Sequence, residues 1–404
     1  MASAEEENAY FSVNPAPKHL DQHISLAESF INRHNSESRR VVLITSGGTT
    51  VPLEKNTVRF IDNFSAGTRG ATSAEHFLEA GYAVIFLHRE FSLLPFSRHF
   101  TYSTDSFLDL LDDGGDGRVV VRSEEEHKLL TVIRKYRGAK QDGMLLTLPF
   151  VTIGDYLHEL RAVARLMGPL GPRGLLYLAA AVSDFFVPAD RMAEHKIQST
   201  DVASTYAKTN GMTQTNETAK INGVDDKNGV NGVKKPNGVN GRKRLRGDST
   251  SPRQSSDEEF DNFDATPRVP RSKSLVIDLD PVPKFLKNLV DGWAPKGMIV
   301  SYKLETDPAI LVKKARSSLD RYQHHLVIGN LLATRKFEVV FVSPGKEDNW
   351  LRISRKNGWG DAEGRALRLG EVPSEDPEVE VEGLIIPAVA ELHDAHVERF
   401  GKTS

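Results

Sequence analysis

The sequence predicts an α/β protein with a mostly parallel sheet and helices on both faces of that sheet. Short apolar runs typical of buried parallel strands alternate with segments of helical periodicity. Small residues follow several of these runs, as they do at turns between strands and helices. One long polar stretch interrupts the order, and we expect it to be a disordered insertion.

The first half of the chain shows the alternation clearly. Gly81 is placed to end a helix before the next apolar run. The elements predicted here, in chain order, are a helix at 18–34, a strand at 41–45, a helix at about 68–80, strands at 83–87 and 118–122, a helix at 153–167 and a strand at 175–180.

The second half continues the same order. A helix predicted at 307–322 has a clear start signal, with Thr306 as N-cap, Asp307 in the first turn and Pro308 near the N1 position. The other elements predicted in this half are strands at 298–300, 326–328 and 337–342 and a late helix at about 385–399.

Residues 200–272 break the pattern. Asn-Gly-Val recurs there, a basic run at 242–246 precedes Ser/Asp/Glu-rich sequence, and large apolar side chains are scarce. Such a stretch cannot bury enough surface to offset the entropy lost on ordering, which predicts disorder. We therefore divide the chain into an N-terminal extension and helix at 1–40, one folded domain in two parts at 41–199 and 273–404, and the insertion between those parts.

The composition excludes several classes of protein. Cysteine is absent, which excludes disulfides, cysteine-ligated zinc and thiol nucleophiles. The net charge of −3 gives no sign of a nucleic-acid-binding body. Neither a signal peptide nor a membrane span is predicted. We expect a cytoplasmic protein with no membrane and no nucleic-acid partner. The basic run is expected to be a solvated linker, and a nuclear signal or an anion-binding patch stays open.

Two candidate ligand loops lie where the carboxyl edge of the sheet is predicted, the place where open α/β sheets bind ligands. In the loop at 46–50, two adjacent glycines would let backbone N–H groups approach a phosphate, although a tight turn explains the same residues equally well. The loop at 62–70 puts glycines, hydroxyls and an arginine at a helix start. That pattern suits an anion, or an ordinary helix start capped by Ser65 or Thr68.

A third loop, at 179–186, follows the strand predicted at 175–180. Its three alanines suggest close approach of the backbone to a ligand, with Asp184 as a polar contact, although packing and a turn explain the alanines more simply. His324 and His325 lack the spacing of metal ligands, and no metal-binding residue is predicted.

Specific blocks of the sequence resemble the eukaryotic phosphopantothenate–cysteine ligases, also called phosphopantothenoylcysteine synthetases. The blocks are SGGTTVPLEKNTVRFIDNFSAGTRGATSAEHFLEAGY within 41–89, LAAAVSDFFVP at 178–188, HKIQS at 195–199, SYKLETDP at 301–308 and IGN at 328–330. The resemblance implies a Rossmann-like fold and a homodimer. It also implies an ATP-dependent reaction with Mg²⁺ that joins 4′-phosphopantothenate to L-cysteine through an acyl-adenylate, a step in coenzyme A synthesis.

The resemblance further implies a nucleotide site. Tyr302, which stands where the family usually has phenylalanine, would stack on the base, and Asn330 would hydrogen-bond the base or the ribose. The residues implied to hold the nucleotide phosphates are Gly47, Ser65, Gly67 and Gly70.

Residues for the second substrate and for catalysis are implied in the same way. Asn63 would contact phosphopantothenate and the acyl-adenylate and act as the main polarising side chain. Ala180, Ala181 and Asp184 would hold the pantothenate arm, and Asp184 could act across the dimer interface. Lys196, on a flap-like loop, would neutralise phosphate or intermediate charge, although a surface lysine is the default interpretation.

Two other functions stay open on the sequence alone. An NAD(P)-dependent oxidoreductase could use Glu90 for a ribose or Arg89 for a 2′-phosphate, but the glycine fingerprint of such enzymes is missing. A non-enzymatic scaffold could use the insertion as its interaction element. The intact set of Asn63, Asp184 and Lys196 argues against a scaffold.

Overall fold

Apolar runs of the sequence form a central eight-stranded sheet in the computed structural model of the chain. The structure describes residues 4–100, 107–197, 277–354 and 364–401. The strands are β1 Val41–Ser46, β2 Thr50–Pro52, β3 Phe60–Asp62, β4 Ala83–Arg89, β5 Leu111–Asp113, β6 Val119–Val121, β7 Leu145–Phe150, β8 Gly174–Leu178, β9 Phe185–Phe186, β10 Asp280–Pro281, β11 Met298–Glu305, β12 Leu326–Leu331, β13 Glu338–Val342 and β14 Asn349–Arg352.

The order of strands in the main sheet is β14-β13-β12-β11-β8-β1-β4-β7. The six strands from β12 to β7 are parallel, and β13 and β14 extend the sheet antiparallel. From β1 the chain moves outward to β4 and β7, then returns to β8 and moves outward the other way. The neighbours β1 and β8 therefore form a topological switch point, and a crevice for ligands is expected at their carboxyl ends.

Seven helices are labelled among the described residues, and none of them is long and apolar enough to span a membrane. They are α1 Ala4–Val13, α2 Leu20–Ser36, α3 Thr68–Glu79, α4 Ser123–Gln141, α5 Ile153–Leu166, α6 Pro308–Tyr322 and α7 Glu382–Gly401. Short helical turns lie at Ser97–Phe100, Phe107–Leu110, Gly168–Arg173, Leu286–Asn288, Leu289–Trp293 and Leu369–Glu371.

Both faces of the sheet are covered because successive side chains of a strand point to opposite sides. Leu43 and Ile85 pack with α2 and α5 on one face, and α6 covers Val327 of β12 on that same face. Val42 and Ile44 pack with α3 and α7 on the other face. These strands are buried on both sides, which explains why their sequences are continuously apolar.

The predicted fold class is confirmed, and most predicted elements are present within a few residues of their predicted bounds. The helices expected from 18, 68, 153, 307 and 385 onward are α2, α3, α5, α6 and α7. The strands expected from 41, 83, 298, 326 and 337 onward are β1, β4, β11, β12 and β13.

The strand predicted at 118–122 exists as β6, but its expected place in the parallel sheet is wrong. It pairs antiparallel with β5 in a separate two-stranded ribbon. Val119 is 72% exposed and Val120 is 42% exposed, so this strand does not pack against the core. Its valines favour a β conformation even without that burial.

Two element ends also differ from the prediction. The strand predicted at 175–180 ends at Leu178, because Ala181 turns to bond the loop that follows β1. The N-cap of α6 is Asp307 rather than Thr306, and the Asp307 carboxylate accepts the Ala309 N–H at 2.8 Å.

Two helices and seven strands were not predicted from the sequence: α1, α4, β2, β3, β5, β7, β9, β10 and β14. Pro149 lies in β7, which is an edge strand and so tolerates the missing N–H donor. The predicted disordered insertion at 200–272 lies outside the described residues.

Candidate active site

The loops after β1 and β8 lie side by side at the switch point. The Ala181 N–H donates to the Gly47 carbonyl at 2.8 Å, and the Thr49 N–H donates to the Ala181 carbonyl at 3.0 Å. The Thr49 hydroxyl accepts the Ser183 N–H at 3.0 Å. The structure thereby brings together the predicted phosphate loop and the predicted pantothenate loop.

Glycine permits the close packing at the start of α3. Gly47 and Gly67 have φ values of +84° and +83°, a left-handed conformation that favours glycine. A Cβ on Gly70 would lie 2.4 Å from the Ser46 hydroxyl, so only glycine lets α3 lie directly against the end of β1.

The N-terminus of α3 differs from the ordinary capped start that Ser65 or Thr68 would give. Gly67 is the N-cap, and no side chain caps the helix. The Ser65 hydroxyl only accepts the Gly67 N–H, at 3.4 Å. Ser46 Oγ, at the carboxyl end of β1, donates to the Gly67 carbonyl at 3.0 Å, so the uncapped positive end of the α3 dipole lies at the switch point.

A β-hairpin formed by β2 and β3 carries Asn63. The Asn63 N–H donates to the Thr49 carbonyl at 3.2 Å, and a Cβ on Gly48 would lie 1.7 Å from the Asn63 carbonyl oxygen. Arg89 Nη1 donates to Asp62 Oδ1 at 2.7 Å and fixes the base of the hairpin. The backbone of Asn63 is therefore held against the predicted phosphate loop.

Tyr302 projects from β11 toward the α3 face of the sheet. Its hydroxyl hydrogen-bonds the Tyr177 hydroxyl, which in turn bonds Ser73 Oγ at 3.1 Å. Burial raises the pKa of the Tyr302 phenol well above its usual value. The Arg69 guanidinium lies over the ring, 5.7 Å from its centroid. The hydrogen bond of its hydroxyl thus holds the Tyr302 ring in place, and the Arg69 guanidinium lies over the face of the ring.

Asn330, on β12, is a buried polar side chain with an unused acceptor. Only 7% of the residue is exposed. Its Oδ1 has no hydrogen-bond partner among the described residues. A buried amide oxygen without a partner costs free energy, so this atom is suited to a ligand that carries an N–H donor.

Asp184 and Lys196 lie on more exposed segments. Lys284 Nζ donates to Asp184 Oδ1 at 2.6 Å, and 73% of the Asp184 side chain is exposed. The segment that leads to Lys196 is held on the hairpin tip, where the Lys55 N–H donates to the Ala193 carbonyl at 2.8 Å. Lys196 itself is exposed.

Comparison with known proteins decides the family. Residues 38–111 match the model of the DNA/pantothenate metabolism flavoprotein C-terminal domain. The chain is 41% identical over 401 residues to phosphopantothenate–cysteine ligase CAB2 of Saccharomyces cerevisiae, covering 98% of this chain and 88% of that protein. It is 37% identical over 342 residues to the Homo sapiens phosphopantothenate–cysteine ligase, covering 83% and 86%. The chain belongs to the phosphopantothenate–cysteine ligase family.

A solved structure agrees with this membership. A histidine-to-alanine mutant of Cab2 in complex with phosphopantothenate-cysteine superposes with a TM-score of 0.71 at 40% identity, covering 98% of this chain and 99% of that one. The family predicted from the sequence blocks is confirmed, and so is the prediction that the chain is an enzyme. The oxidoreductase and scaffold alternatives are not supported, and Arg89 is engaged at the base of the hairpin.

Two residues of the candidate site, Arg69 and Thr49, were not singled out on the sequence. Arg69 was noted only as part of a loop, yet Glu382 accepts its Nη1 at 2.7 Å and the Arg335 carbonyl accepts its Nη2 at 2.6 Å. Thr49 joins the two switch-point loops. Neither role has a local signal, because the partners are far apart in the sequence.

The paired histidines are structural in this ligase. His324 Nε2 hydrogen-bonds Ser301 Oγ at 2.7 Å, and His325 Nδ1 accepts the Ile299 N–H at 3.1 Å. Within the described ranges no group of three or more His, Asp or Glu side chains could hold a metal ion.

Proposed function

We propose that the chain joins 4′-phosphopantothenate to L-cysteine with ATP, through an acyl-adenylate, and releases AMP and pyrophosphate. One observation carries the proposal. A glycine-rich loop, a helix N-terminus and the Ala179–Asp184 segment meet at the switch point of a chain that belongs to the phosphopantothenate–cysteine ligase family. A carboxylate is a poor electrophile. Attack of the carboxylate on the α-phosphate of ATP gives an acyl-adenylate with a good leaving group, and the cysteine amine then forms the amide.

The nucleotide is proposed to bind on the α3 face. The backbone around Gly47, Ser65, Gly67 and Gly70 would meet its phosphates, supported by the α3 dipole. Tyr302 would contact the base, and Asn330 Oδ1 would accept the exocyclic amine. Cytosine also carries such an amine, so this contact does not choose the base, and ATP is proposed on the eukaryotic resemblance. Mg²⁺ would arrive with the nucleotide, coordinated by phosphate oxygens.

Asn63 and Lys196 are proposed as the catalytic side chains. The Asn63 amide would donate a hydrogen bond to the oxygen atoms on which negative charge develops, at the reacting carboxyl and the α-phosphate. Preorganised donors of this kind usually make the largest single contribution to lowering the activation barrier. Lys196 would approach with its segment and neutralise phosphate charge. Ala180, Ala181 and Asp184 would line the pantothenate arm.

A homodimer is proposed with the hairpin as its contact. Val58, Phe60, Ile61 and Phe64 are 54%, 50%, 38% and 93% exposed, an apolar cluster suited to burial against a second copy. Sedimentation of the Phe60→Asp variant tests this contact, and an unchanged dimer would contradict it. The cytoplasmic location stays a prediction.

The function is tested by pyrophosphate release with 4′-phosphopantothenate, L-cysteine and Mg²⁺, with ATP and CTP supplied in turn. We expect sustained release that requires both 4′-phosphopantothenate and L-cysteine and is faster with ATP. No release with either nucleotide would refute the function, and equal or faster release with CTP would refute only the ATP assignment.

A further inference from the structure

Asp184 lies at the start of a very short β-ribbon. Strands β9 and β10 pair antiparallel through only two residue pairs, one of them Phe186 with Asp280. The Val282 N–H extends this ladder by donating to the Asp184 carbonyl at 2.9 Å. A two-stranded ribbon of this length is at best marginally stable by itself in water. The conformation of Asp184 therefore depends on what packs against the ribbon.

The two strands of the ribbon are joined by a long stretch of chain. Lys284 Nζ, after β10, donates to Asp184 Oδ1, before β9, at 2.6 Å, although the two residues are 100 positions apart in the sequence. Closing so long a connection costs chain entropy. The two side chains are 47% and 73% exposed, and an ion pair that exposed stabilises little. Most of the stability of the ribbon therefore has to come from apolar packing.

The N-terminal helix α1 supplies that packing through Tyr10, which is 6% exposed. The Tyr10 ring lies edge-on to Phe186 of β9, with the ring centroids 5.4 Å apart, and edge-on to Phe285, which follows β10, at 5.2 Å. Edge-to-face pairs of aromatic rings attract each other beyond the effect of the apolar area that they bury. One side chain of α1 thus contacts both halves of the ribbon.

A buried carboxylate holds α1 in this position. Glu7 Oε1 accepts Trp293 Nε1 at 3.2 Å and Arg165 Nη2 at 3.0 Å, and Glu7 Oε2 accepts Asn288 Nδ2 at 2.6 Å. Arg161 Nε lies 2.9 Å from Glu7 Oε1 as an ion pair. A buried charge is stable only when it is paired and hydrogen-bonded in this way. Glu7 therefore fastens α1 to α5 and to the helical turns that follow β10.

We propose that α1 is a positioning element for the substrate segment, and that Tyr10 holds the β9–β10 ribbon so that Asp184 is placed to receive 4′-phosphopantothenate. The proposal rests on the function proposed above. Tyr10 is buried behind the ribbon and would act through Phe186 rather than touch a substrate. It belongs to the apolar cluster on the α2 and α5 face of the sheet, whereas the proposed nucleotide contacts lie on the α3 face. Its effect should therefore fall on one substrate and spare ATP.

The test compares two substitutions of Tyr10 in the pyrophosphate-release assay. Tyr10→Ala removes the ring, whereas Tyr10→Phe keeps it and removes only a buried hydroxyl that has no hydrogen-bond partner among the described residues. We expect Tyr10→Ala to raise KM for 4′-phosphopantothenate roughly 5- to 30-fold, because two aromatic contacts that hold the ribbon are lost. The KM for ATP should stay within about twofold of the wild-type value, and Tyr10→Phe should behave like the wild type.

Hydrogen exchange followed by mass spectrometry reads the ribbon directly. The Val282 N–H is protected by its bond to the Asp184 carbonyl, so peptides that contain β10 should exchange faster in Tyr10→Ala, while peptides of β11 should not. Ile31→Ala, which truncates a buried side chain of the same apolar cluster on α2, is the control for a general loss of stability. This control should leave the KM for 4′-phosphopantothenate within about twofold of wild type.

The outcomes separate the inference from the function. Wild-type protein that releases no pyrophosphate refutes the function. Wild-type release with an unchanged KM for 4′-phosphopantothenate in Tyr10→Ala overturns the inference alone. An equal rise in the KM for ATP, the same defect in Ile31→Ala or Tyr10→Phe, or unchanged exchange of β10 overturns it as well. Circular dichroism checks folding, and if Tyr10→Ala unfolds, Glu7→Ala is assayed under the same criteria, with Glu5→Ala at an exposed position of α1 as its control.

Discussion

Replacing Asn330 with leucine should have opposite effects on stability and on nucleotide binding. Asn330 is 7% exposed and its Oδ1 has no partner among the described residues. A buried polar atom without a hydrogen bond costs about 1–3 kcal/mol, and leucine has the same branched shape, although it is larger, and carries no polar atom. We therefore expect the free energy of unfolding of the ligand-free protein to rise by about 1 kcal/mol, or a few degrees in Tm.

The affinity for ATP should fall in the same variant. If the base amine donates to Oδ1, leucine removes that bond and leaves the amine unpaired, which costs about 1–2 kcal/mol or roughly 5- to 30-fold in Kd. Calorimetric titration with ATP and Mg²⁺ measures the affinity, and thermal unfolding without nucleotide measures the stability. Asn349→Leu, at an exposed position of β14, is the control. An Asn330→Leu protein that binds ATP as tightly as the wild type would refute this role for Asn330.

Three further predictions concern catalysis, acid stability and the insertion. Asn63→Ala should fold normally and lose about 10²- to 10³-fold in ligation rate, because one preorganised donor is removed. Single-turnover kinetics measure this, and wild-type turnover would remove Asn63 from the catalytic machinery. Burial lowers the pKa of His324, His325 and His393 to about 4, so the folded chain holds them neutral while the unfolded chain protonates near pH 6.5. Their contribution to stability is present above pH 6.5 and is lost as the pH falls toward 4, on the order of 2 kcal/mol per histidine by pH 5. The urea midpoint should therefore be lower at pH 5 than at pH 6.5, and equal midpoints at these two pH values would contradict this prediction. Excising residues 205–270 should leave activity and assembly within a fewfold of wild type when two linker lengths are compared, because that stretch has no apolar period to contribute to the core. A loss of more than about tenfold in both folded variants would make the stretch part of the machinery.

Local patterns in the sequence predicted most of the fold. Val42 and Ile44 belong to a short apolar run that predicted a buried parallel strand, and Gly81 ends α3 with a φ of +83° as its position suggested. Two strands of the main sheet were not predicted: β14, and β7, where a proline argues against a strand unless the strand is known to lie at the sheet edge. Sheet membership likewise depends on which helices cover a strand, which explains why β6 stands apart.

The candidate site was also predicted only in part from the sequence. Gly47, Gly67 and Ala181 are recognisable because backbone approach demands small residues at fixed places along the chain. Contacts between distant segments have no such signal. Arg69 and Glu382 meet across 313 positions of sequence, and the Tyr302 phenol bonds the buried Tyr177 phenol rather than solvent. Such pairings are set by the packing of α7 and β8, which no local window contains.

The transfer of carboxylate oxygen tests the central claim most directly. The protein is incubated with 4′-phosphopantothenate labelled with ¹⁸O in both carboxylate oxygens, L-cysteine, ATP and Mg²⁺, and the products are analysed by mass spectrometry. An acyl-adenylate route predicts the cysteine amide with one labelled oxygen and AMP that carries the other. Amide formed together with unlabelled AMP, or with ADP and labelled inorganic phosphate, would contradict it.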